Sequence, residues 1–483
     1  MSNLAHRQSL IQAKRKQTPW RDFVMEIASW CSIVLYKQWK DISQFPNKDR
    51  VRNLVSQGEW QGGRDSLIFI DHIEWNKFIE QLITLYSEVQ LPHVRNINND
   101  NSLYANNVVN SKNAYLSFII INDCENILYS FSVKEASRNA IDSLMVWSQS
   151  ENIYQSAWII SSYNIFYSKY IKDCSNIYWS INLTWCTYCI ECENLVNMNY
   201  CFKNVQYSKE EFDSIKRYFL EKIKDREKII SELSFIPDCE EVGNASLCYN
   251  IKKWNNLILV WSWKWAENMY DCFLWWSPAV NGAFAVMWTW RNSENIYCSM
   301  AIDWGSNIYY SIYLEHCSFC LGCIWLKNKS YCILNKQYTK EERYEKVDEI
   351  FSQMEKDGSL GEFFPATMNP FYFNDTAAYL IDPSFTKEEV TARWYLRRDE
   401  PIKVDIPEWA KVVKTSELDR FESRESGWGT WKIDPEILKY IIQDEQGNVY
   451  RIVKMEYDFL MKHGLPLPRK HWLDRMKENF RIH

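Results

Sequence analysis

Glycine is scarce in this chain, which has 13 glycines and 24 tryptophans among its 483 residues, the reverse of the usual proportions. Neither a glycine-rich phosphate loop nor a Gly-x-Ser-x-Gly sequence is present, so two common signals of nucleotide and ester hydrolysis are missing. No apolar run approaches the roughly 20 residues of a membrane-spanning helix, and there is no signal-peptide pattern. We therefore expect a cytoplasmic protein with no membrane partner.

Histidine is also sparse, and no catalytic constellation stands out. The seven histidines are scattered, none lies in a His-Glu-x-x-His sequence, and nothing pairs a nucleophile with a base. The net charge of −6 gives no global footprint of nucleic-acid binding. We therefore expect no enzymatic activity, in a chain long enough for about two to four domains.

A short phrase recurs through the middle of the chain and organises it. It is an asparagine, two or three apolar or aromatic residues and then usually a serine, as in Asn126-Ile-Leu-Tyr-Ser130. Within two groups its asparagines are 12 to 14 residues apart: Asn113, Asn126, Asn139, Asn152, Asn164 and Asn176, then Asn256, Asn268, Asn281, Asn295 and Asn307. A fixed short period is typical of a solenoid. Because the apolar residues are strand formers, the pattern predicts a β-solenoid with a short strand and a turn in each repeat.

The repeated asparagine carries a prediction of its own. Asparagine tolerates left-handed backbone, which suits a turn. Asparagines that stack in successive coils can also form a ladder of amide hydrogen bonds. The sequence leaves open whether 12 or 13 residues make a whole coil or half of a larger one.

The repeats are themselves duplicated, because a shift of 131 residues places the end of the first group on the end of the second. Both groups end in Tyr-Cys-x-x-Asn-x-Gln-Tyr, at residues 200–207 and 331–338. A serine or threonine follows each, with a glutamate three residues later, and this capping box starts a helix. The two helices, predicted over residues 208–234 and 339–356, are interpreted as covers for open strand edges.

Before the repeats, the sequence predicts a single helix. Residues 1 to about 60 have an irregular pattern, and the basic residues at the start are typical of a solvated tail. From residue 74 to 89 the apolar residues have helical spacing, which places Phe78, Leu82, Leu85 and Tyr86 on one face.

Tryptophan occupies positions in the repeats where a solenoid turn would ordinarily place glycine. Nine tryptophans fall seven to nine residues after a repeat asparagine: Trp147, Trp185, Trp263, Trp265, Trp275, Trp276, Trp288, Trp290 and Trp304. One hypothesis is that many of them are UGA codons that the organism reads as glycine. The alternative is an exposed tryptophan ladder that binds planar or carbohydrate ligands.

Fourteen of the fifteen cysteines lie between Cys124 and Cys332, inside the repeats. The odd total and the absence of an export signal argue against a disulfide framework. Two groups with Cys-x2-Cys-x2-Cys spacing are the best metal candidates: Cys186, Cys189, Cys192 and Cys201, then Cys317, Cys320, Cys323 and Cys332. Packing of small thiols in a narrow core is the favoured interpretation, and zinc or an iron–sulfur cluster are the alternatives.

Three long stretches carry a resemblance: Phe78 to Ser117, Cys323 to Glu342 and Phe363 to Phe371. They resemble an uncharacterised protein family from uncultured small-genome bacteria of the candidate phyla radiation, over about residues 75–483. Family members have glycine where this chain has Trp325 and Trp394, and some such lineages read UGA as glycine. The resemblance implies no known activity.

Members of that family usually carry zinc ribbons at both ends, and this chain matches the C-terminal ribbon in part. The matching residues are Gly447, Tyr450, Glu456, Phe459, Gly464, Pro466, Pro468 and Arg469. The four ligand positions are Gln443, Gln446, His471 and Asp474, and glutamine is a poor zinc ligand. The resemblance therefore implies a ribbon-like end that has lost its metal, and a similarly eroded N-terminal ribbon of which Cys31 is the last trace.

These observations predict a mainly β chain with helices, arranged in seven consecutive regions. They are a degenerate zinc-ribbon-like N-terminal region plus helix (1–95), a first solenoid array (96–207), a capping helix (208–240), a second solenoid array (241–338), a capping helix (339–358), an extended linker region (359–433) and a degenerate zinc-ribbon-like C-terminal module (434–483).

The favoured function is a non-enzymatic binding or scaffold protein that uses a face of the β-solenoid, has an unidentified protein partner and needs no cofactor. The alternative is a zinc-dependent nucleic-acid-binding protein that uses the paired cysteine clusters. Its basic surface would be the end of the chain: Arg469, Lys470, Arg475, Lys477 and Arg481.

Overall fold

The computed structural model divides the chain into two compact units. The described residues are 2–15, 18–38, 41–46, 50–56, 68–102, 104–221, 305–400, 406–424 and 431–480, together with the strands given below between 257 and 303. Unit 1 combines Met1–Val94 with Ile236–Asp399, and unit 2 combines Arg95–Phe235 with Glu400–His483. The first array therefore belongs to unit 2 and the second array to unit 1.

The N-terminal part of unit 1 has more regular structure than the sequence predicted. It contains α1 (Ser2–Arg15), α2 (Trp20–Ile27), β1 (Tyr36–Gln38), β2 (Asp41–Ser43), β3 (Leu54–Val55), α3 (Phe78–Glu88) and β4 (Leu91–Pro92). The expected solvated tail is wrong, because Arg7 of α1 forms a 2.6 Å ion pair with Asp348. The predicted helical face of α3 is confirmed, since its four apolar residues are buried.

In unit 2, two nine-stranded sheets build the first array. The first sheet contains β5 (Asn96–Ile97), β6 (Asn106–Val109), β8 (Phe118–Ile121), β10 (Phe131–Lys134), β12 (Leu144–Trp147), β14 (Ala157–Ile160), β16 (Lys169–Lys172), β18 (Ile181–Thr184) and β20 (Glu193–Val196). The second sheet contains β7 (Lys112–Tyr115), β9 (Glu125–Leu128), β11 (Arg138–Ile141), β13 (Glu151–Tyr154), β15 (Tyr163–Phe166), β17 (Ser175–Tyr178), β19 (Thr187–Ile190), β21 (Asn199–Phe202) and β22 (Val205–Gln206). Neighbouring strands are parallel except for the last pair, β21 and β22.

Each coil of this β-solenoid is one turn of 12 or 13 residues and carries two four-residue strands. Paired residues in neighbouring coils are 12 or 13 positions apart, as Ile153 is from Ile165. In the 12-residue coils every third residue is left-handed, with φ of 59° at Asn152, 42° at Gln155 and 58° at Trp158. A coil therefore has four short sides, each made of an inward residue, an outward residue and a left-handed corner. The sequence predicted one strand and one turn for each repeat and missed the remaining corners.

One corner explains why the period alternates between 12 and 13. Where the period is 13, two consecutive residues are left-handed, as at Asn122 and Asp123 or at Ser148 and Gln149. Where the period is 12, a single residue such as Ser161 turns the corner. The extra residue lengthens one corner and leaves the inward positions in register, so coils of both lengths stack in one solenoid.

Four columns of inward side chains fill the interior of the first array. Two columns are aliphatic, and the other two are mainly serine and cysteine. In one of the polar columns, Ser156 Oγ accepts the backbone N–H of Ser168 in the next coil at 3.1 Å. The same hydroxyl donates to Tyr154 O at 2.8 Å. Buried hydroxyls thus satisfy backbone groups at the corners, where the strand ladder is interrupted.

Substitution of Ser156 tests the role of this column. Ser156→Ala should lower the free energy of unfolding by about 1–3 kcal/mol, because a buried N–H loses its acceptor. Ser156→Cys should cost less, since Cys192 lies in the same column and its sulfur accepts the N–H of Asn204 at 3.5 Å. Urea unfolding of the full chain measures both effects, and equal stability of Ser156→Ala and wild type would contradict the assigned role.

The predicted amide ladder is confirmed on the outside of the coils. The Nδ2 of each repeat asparagine donates to the Oδ1 of the next at 2.9–3.0 Å, from Asn101 through Asn113, Asn126, Asn139, Asn152 and Asn164 to Asn176. All seven have left-handed backbone, with φ between 47° and 60°. Asparagine therefore serves both as the corner residue and as a rung that ties neighbouring coils together.

The described strands of the second array continue the same pattern in unit 1. They are β23 (Leu257–Ser262), β24 (Ala266–Met269), β25 (Cys272–Ser277), β26 (Val280–Ala283), β27 (Thr289–Trp290), β28 (Ser293–Ile296), β29 (Ile302–Asp303), β30 (Ser306–Tyr309), β31 (Ser318–Leu321), β32 (Cys332–Ile333) and β33 (Lys336–Gln337). All of their pairings are parallel except the hairpin of β32 and β33. Paired residues are again 12 or more positions apart, as Ile308 is from Cys320.

A helix follows each array, as the capping boxes predicted. The helices are α4 (Lys209–Glu221) and α5 (Lys340–Asp357). Ser208 and Glu211 form the first capping box, and Thr339 and Glu342 form the second. On α4, Phe219 contacts Trp179 with ring centroids 4.7 Å apart, so this helix packs against aromatic side chains of the coils.

The region predicted as an extended linker contains regular structure. In unit 1 it includes α6 (Ala377–Ile381) and α7 (Lys387–Ala392), and α7 begins with the predicted capping box of Thr386 and Glu389. In unit 2, residues 406–480 form what we call the C-terminal segment, with β34 (Lys411–Lys414), β35 (Glu422–Arg424), β36 (Trp431–Ile433), β37 (Tyr440–Gln443), β38 (Val449–Tyr450), α8 (Lys454–His463) and α9 (Trp472–Phe480). None of the helices in the described ranges combines the length and apolar character that crossing a membrane requires.

Candidate functional site

The eight cysteines singled out by their spacing lie in the solenoid interior, at the same place in each array. Cys186, Cys189 and Cys192 occupy successive sides of one coil, and Cys201 pairs with Cys189 from the next coil. The other four, Cys317, Cys320, Cys323 and Cys332, have the same arrangement in the second array. All eight are buried and unpaired by disulfides. Because inward residues recur every third position, the Cys-x2-Cys-x2-Cys spacing is the spacing of the coil itself.

Hydrogen bonds hold these thiols in the core. Each of the eight donates to the carbonyl two residues before it, with sulfur–oxygen distances of 3.3–3.6 Å. Cys320 also shares side-chain hydrogen bonds with Cys317, Cys323 and Cys332, and these bonds together with burial raise the pKa of the Cys320 thiol. A hydrogen bond to a neighbouring thiol and burial likewise raise the pKa of Cys189. Thiols that keep their protons behave as small packing groups.

Nowhere in the described parts of the chain do three or more histidine, cysteine, aspartate or glutamate side chains form a group that could hold a metal ion. If packing is the role of the eight thiols, a zinc chelator should leave the thermal unfolding of the purified full chain unchanged. A structural zinc contributes on the order of 10 kcal/mol, so its removal could not be missed. A large drop in the melting temperature, with zinc recovered in the chelator, would contradict the packing role.

A row of apolar side chains on the outside of the first array is the largest contact surface in unit 2. We call it the aromatic flank, and its members are Tyr115, Leu128, Tyr129, Ile141, Tyr154, Phe166, Tyr167, Tyr178 and Trp179. The C-terminal segment packs on it: Trp472 stacks on Tyr129 with ring centroids 6.1 Å apart, and Phe459 lies 5.9 Å from Tyr154. The array therefore serves as a platform for another part of its own chain.

A buried ion network fixes the register of this contact. Arg475 of α9 pairs with Asp142 at a corner of the array and with Glu456 of α8, at 3.2 Å for Glu456. The side chains of both acids are 0% exposed and that of Arg475 is 4% exposed. Tyr129 donates to Glu456 at 3.3 Å, and its ring lies 5.1 Å from the guanidinium. One cation thus neutralises carboxylates from two elements that are far apart in sequence.

This network corrects the basic surface expected at the end of the chain. Arg475 is buried in the network, so it is not available to bind nucleic acid. The other described cations of that set also have acidic partners, at 2.6 Å between Arg469 and Asp419, 2.7 Å between Lys470 and Glu478, and 3.9 Å between Lys477 and Asp474. Arg481 lies outside the described residues.

The predicted ribbon positions fall at the expected places along the C-terminal segment. Gln443 ends β37, Gln446 lies in the turn of the hairpin, and His471 directly precedes α9, which contains Asp474. Asp444 stabilises the turn, where its Oδ1 accepts the N–H of Gln446 at 3.0 Å. Burial is the main cause of a lowered pKa for His471, to about 4. At the N-terminal end, Cys31 is buried, and burial raises the pKa of its thiol.

The structure moves most of the tryptophans expected at turns into strands. Four of the nine lie in strands: Trp147, Trp275, Trp276 and Trp290. Four others lie outside the described residues: Trp263, Trp265, Trp288 and Trp304. Trp185 is a left-handed corner as predicted, with φ of 54°. Left-handed backbone also occurs at tryptophans that the repeat spacing did not single out: Trp158, Trp179, Trp325 and Trp394.

A cavity of about 250 Å³ lies between the amide ladder and α8. Asn126 and Asn139 line one wall, and Asp458 and Lys462 line the other. The cavity is smaller than the roughly 300–1,000 Å³ of a typical ligand pocket. Comparison of the chain with family models, with curated proteins and with solved structures gave no match. The geometry of the chain is therefore the only guide to its function.

Proposed function

We propose that the protein is a non-enzymatic scaffold that binds a protein partner through a face of its β-solenoid. The observation that carries the proposal is the docking of the C-terminal segment on the aromatic flank, where stacked rings of successive coils hold two helices. The solenoid thus already works as a docking platform within its own chain. All eleven cysteines in the described part of the chain are buried and free, which suits a reducing compartment such as the cytoplasm.

A second column of the same array supports binding of a partner. The first residues of successive strands in the second sheet form what we call the outer column: Lys112, Glu125, Arg138, Glu151, Tyr163, Ser175, Thr187 and Asn199. Tyr163 is 46% exposed, and the Lys112 side chain is 51% exposed. Neighbouring strands place these side chains about 4.8 Å apart. The column offers a partner a rigid row of polar contacts that costs little ordering on binding.

A photo-crosslinking residue at Arg138 tests this face in the host cell. We expect one recurrent crosslinked protein, which excess unlabelled chain competes away and which Thr187→Lys weakens from the same column. The same crosslinker at Trp409, an exposed residue outside the solenoid, is the control. Crosslinks that are equally abundant from both positions, or none from Arg138, would sink the proposal.

The zinc-dependent nucleic-acid reading has one observation in its favour, the convergence of four thiols at the end of each array. We propose it only as the rival, because the cations assigned to it have acidic partners. Salt-sensitive binding of RNA or DNA by the zinc-loaded chain would support the rival. The absence of binding at low salt would end it.

We also propose finer roles for three elements. The helices α4 and α5 shield strand edges at the ends of the two arrays, which removes templates for aggregation. The C-terminal hairpin with the helix that follows it is a ribbon-like module that has lost its zinc ligands, and the region around Cys31 is its N-terminal counterpart. Support for the C-terminal part is the hydrogen bond of 2.7 Å from the Tyr450 hydroxyl to Pro468 O, which ties the hairpin to the later loop.

We further propose that a subset of the tryptophans is glycine in the native host. Support comes from Trp185 and Trp394, which are left-handed with φ of 54° and 67° and have 59% and 72% of their surface exposed. Trp158 and Trp179 are also left-handed but are 1% exposed, and they stack on tyrosines at 4.8 and 4.4 Å. The proposal therefore concerns the exposed corners first. An intact mass from the host that equals the printed sequence would refute it.

A pair of glycine substitutions separates strain from composition. Trp394→Gly should raise the free energy of unfolding by about 0.5–1 kcal/mol, because glycine relieves a left-handed backbone that costs a side chain about 1–2 kcal/mol. Trp409→Gly is the matched control, since Trp409 is 85% exposed and its backbone is not left-handed. The control should lose about 0.5–1 kcal/mol to chain entropy. Equal losses in urea unfolding of both variants would contradict strain at residue 394.

A further inference from the structure

The two arrays end in hairpins whose hydrogen bonds match one for one. In the first-array hairpin (residues 199–206), Asn204 Oδ1 accepts the N–H of Glu193 at 2.8 Å, and Nδ2 donates to Glu193 O at 3.0 Å. In the second-array hairpin (residues 330–337), Asn335 makes the same two bonds to Ile324, at 2.8 and 3.1 Å. Each carboxamide imitates the peptide group of one more strand. The two hairpins are therefore equivalent ends of equivalent solenoids.

In the second array, another stretch of unit 1 covers this end. The N–H of Ile70 donates to Leu334 O at 3.2 Å, and Ile68 O accepts a hydrogen bond from Asn335 Nδ2 at 3.3 Å. Leu334 is 0% exposed and Asn335 is 8% exposed. The cover is a short extended run that uses its main chain as an added strand does.

In the first array the same positions face solvent. The side chain of Lys203 is 66% exposed, and Asn204 is exposed. Val205 is 53% exposed, and Val196 on the neighbouring edge strand β20 is 60% exposed. A strand end that presents backbone groups beside apolar side chains favours the addition of a further strand.

We propose that the first-array hairpin binds an extended aliphatic segment of a partner protein, as the second-array hairpin binds the run Ile68–Asp71. The segment donates a main-chain N–H to Lys203 O and accepts the second N–H of the Asn204 carboxamide. An aliphatic side chain of the segment covers Val205 and Val196. The inference goes beyond the proposed function, because this site lies at the end of the array and uses main-chain pairing instead of the outer column.

Charge distinguishes the open hairpin from the covered one and specifies the partner. In the covered hairpin, Lys336 forms a 2.5 Å ion pair with Asp71. The corresponding residue of the open hairpin is Val205, which offers no charge. The partner segment therefore has an apolar residue where the internal cover has its aspartate.

A labelled synthetic peptide with the sequence of residues 66–73, SLIFIDHI, is the probe for this site. Fluorescence anisotropy with the full-length chain should show saturable binding. Val205→Lys restores the lysine of the covered hairpin and should tighten binding about threefold, the size expected of an exposed ion pair. Val205→Glu should weaken it by a similar factor, and Asn204→Ala should abolish it. Both changes at residue 205 lie on an exposed side chain, so circular dichroism should show unchanged unfolding.

Lys336→Glu is the control for displacement of the internal cover and should leave the affinity unchanged. The proposal fails if neither wild type nor Val205→Lys binds the probe, or if both substitutions at residue 205 bind it equally. It also fails if Lys336→Glu alters the affinity, because the probe then competes at the other hairpin. Sedimentation that shows self-association in wild type but not in Val205→Glu would replace the partner protein by a second copy and overturn the proposal.

Discussion

Arg475→Met should detach the C-terminal segment from the first array and cost unit 2 about 3–5 kcal/mol, the loss expected when a buried ion network loses its cation. The reason is the imbalance that remains, since Asp142 and Glu456 would be two buried carboxylates with no counter-ion. Methionine keeps most of the arginine's apolar volume, so the loss reports charge more than packing. Hydrogen exchange with mass spectrometry of the peptides that contain α8 and α9, in the full chain, measures the detachment.

Two further variants keep this prediction falsifiable. Lys477→Met on the same helix removes a cation whose side chain is 34% exposed and which lies 3.9 Å from Asp474, and should cost less than about 0.5 kcal/mol. The triple variant Arg475→Met, Asp142→Asn and Glu456→Gln removes all three charges and should recover part of the loss. Equal protection of α9 in wild type and in Arg475→Met would show that stacking alone holds the segment.

The amide ladder and the coil length were accessible from the sequence because a single residue type marks them. Asparagine recurs at one corner through seven coils, and each of these asparagines is left-handed. The other corners carry no common residue: Leu116, Tyr129, Met145 and Trp158 are all left-handed and have nothing chemical in common. What makes these corners possible is the neighbouring coil, whose carbonyl accepts the corner N–H, as Ile141 O does from Gln155 at 3.1 Å. A cost that long-range pairing offsets leaves no local signal in the sequence.

The candidate site shows the same division between local and distant information. The sequence brought the correct cysteines together, because their spacing of three is the period of inward residues in the coil. The same spacing suggested metal ligands, since it does not reveal that the thiols bond to carbonyls in a narrow core. The ion network escaped notice because Arg475 and Asp142 are 333 residues apart, and a basic C-terminal end is ordinarily a solvated surface.

Acidification from pH 6.5 to pH 4 should loosen the same segment by about 2 kcal/mol for each of two histidines, with partial exposure taken into account. Burial, and secondarily Lys462, lowers the pKa of His463 from 6.5 to about 4, and burial, then Arg475, lowers that of His471 to about 4. Between these pH values the unfolded chain binds more protons than the folded chain, so stability is present above pH 6.5 and is lost as the pH falls. Glu456 acts in the opposite sense, because burial raises its pKa and its ionised form is penalised at higher pH.

His463→Met should remove about half of this pH dependence, because the ring of His463 packs 5.3 Å from Phe166 and 4.5 Å from Phe459. Protonation there would place a charge among aromatic rings, and Nε2 of His463 is buried without a hydrogen-bond partner among the described residues. His316→Met is the control, since the His316 side chain is 48% exposed and belongs to unit 1. Hydrogen exchange of α8 and α9 at pH 7 and pH 4.5, corrected for intrinsic rates, decides the matter. Unchanged protection in wild type would contradict the prediction, whereas protection lost in wild type and kept in His463→Met would make this histidine the residue through which acid releases the segment.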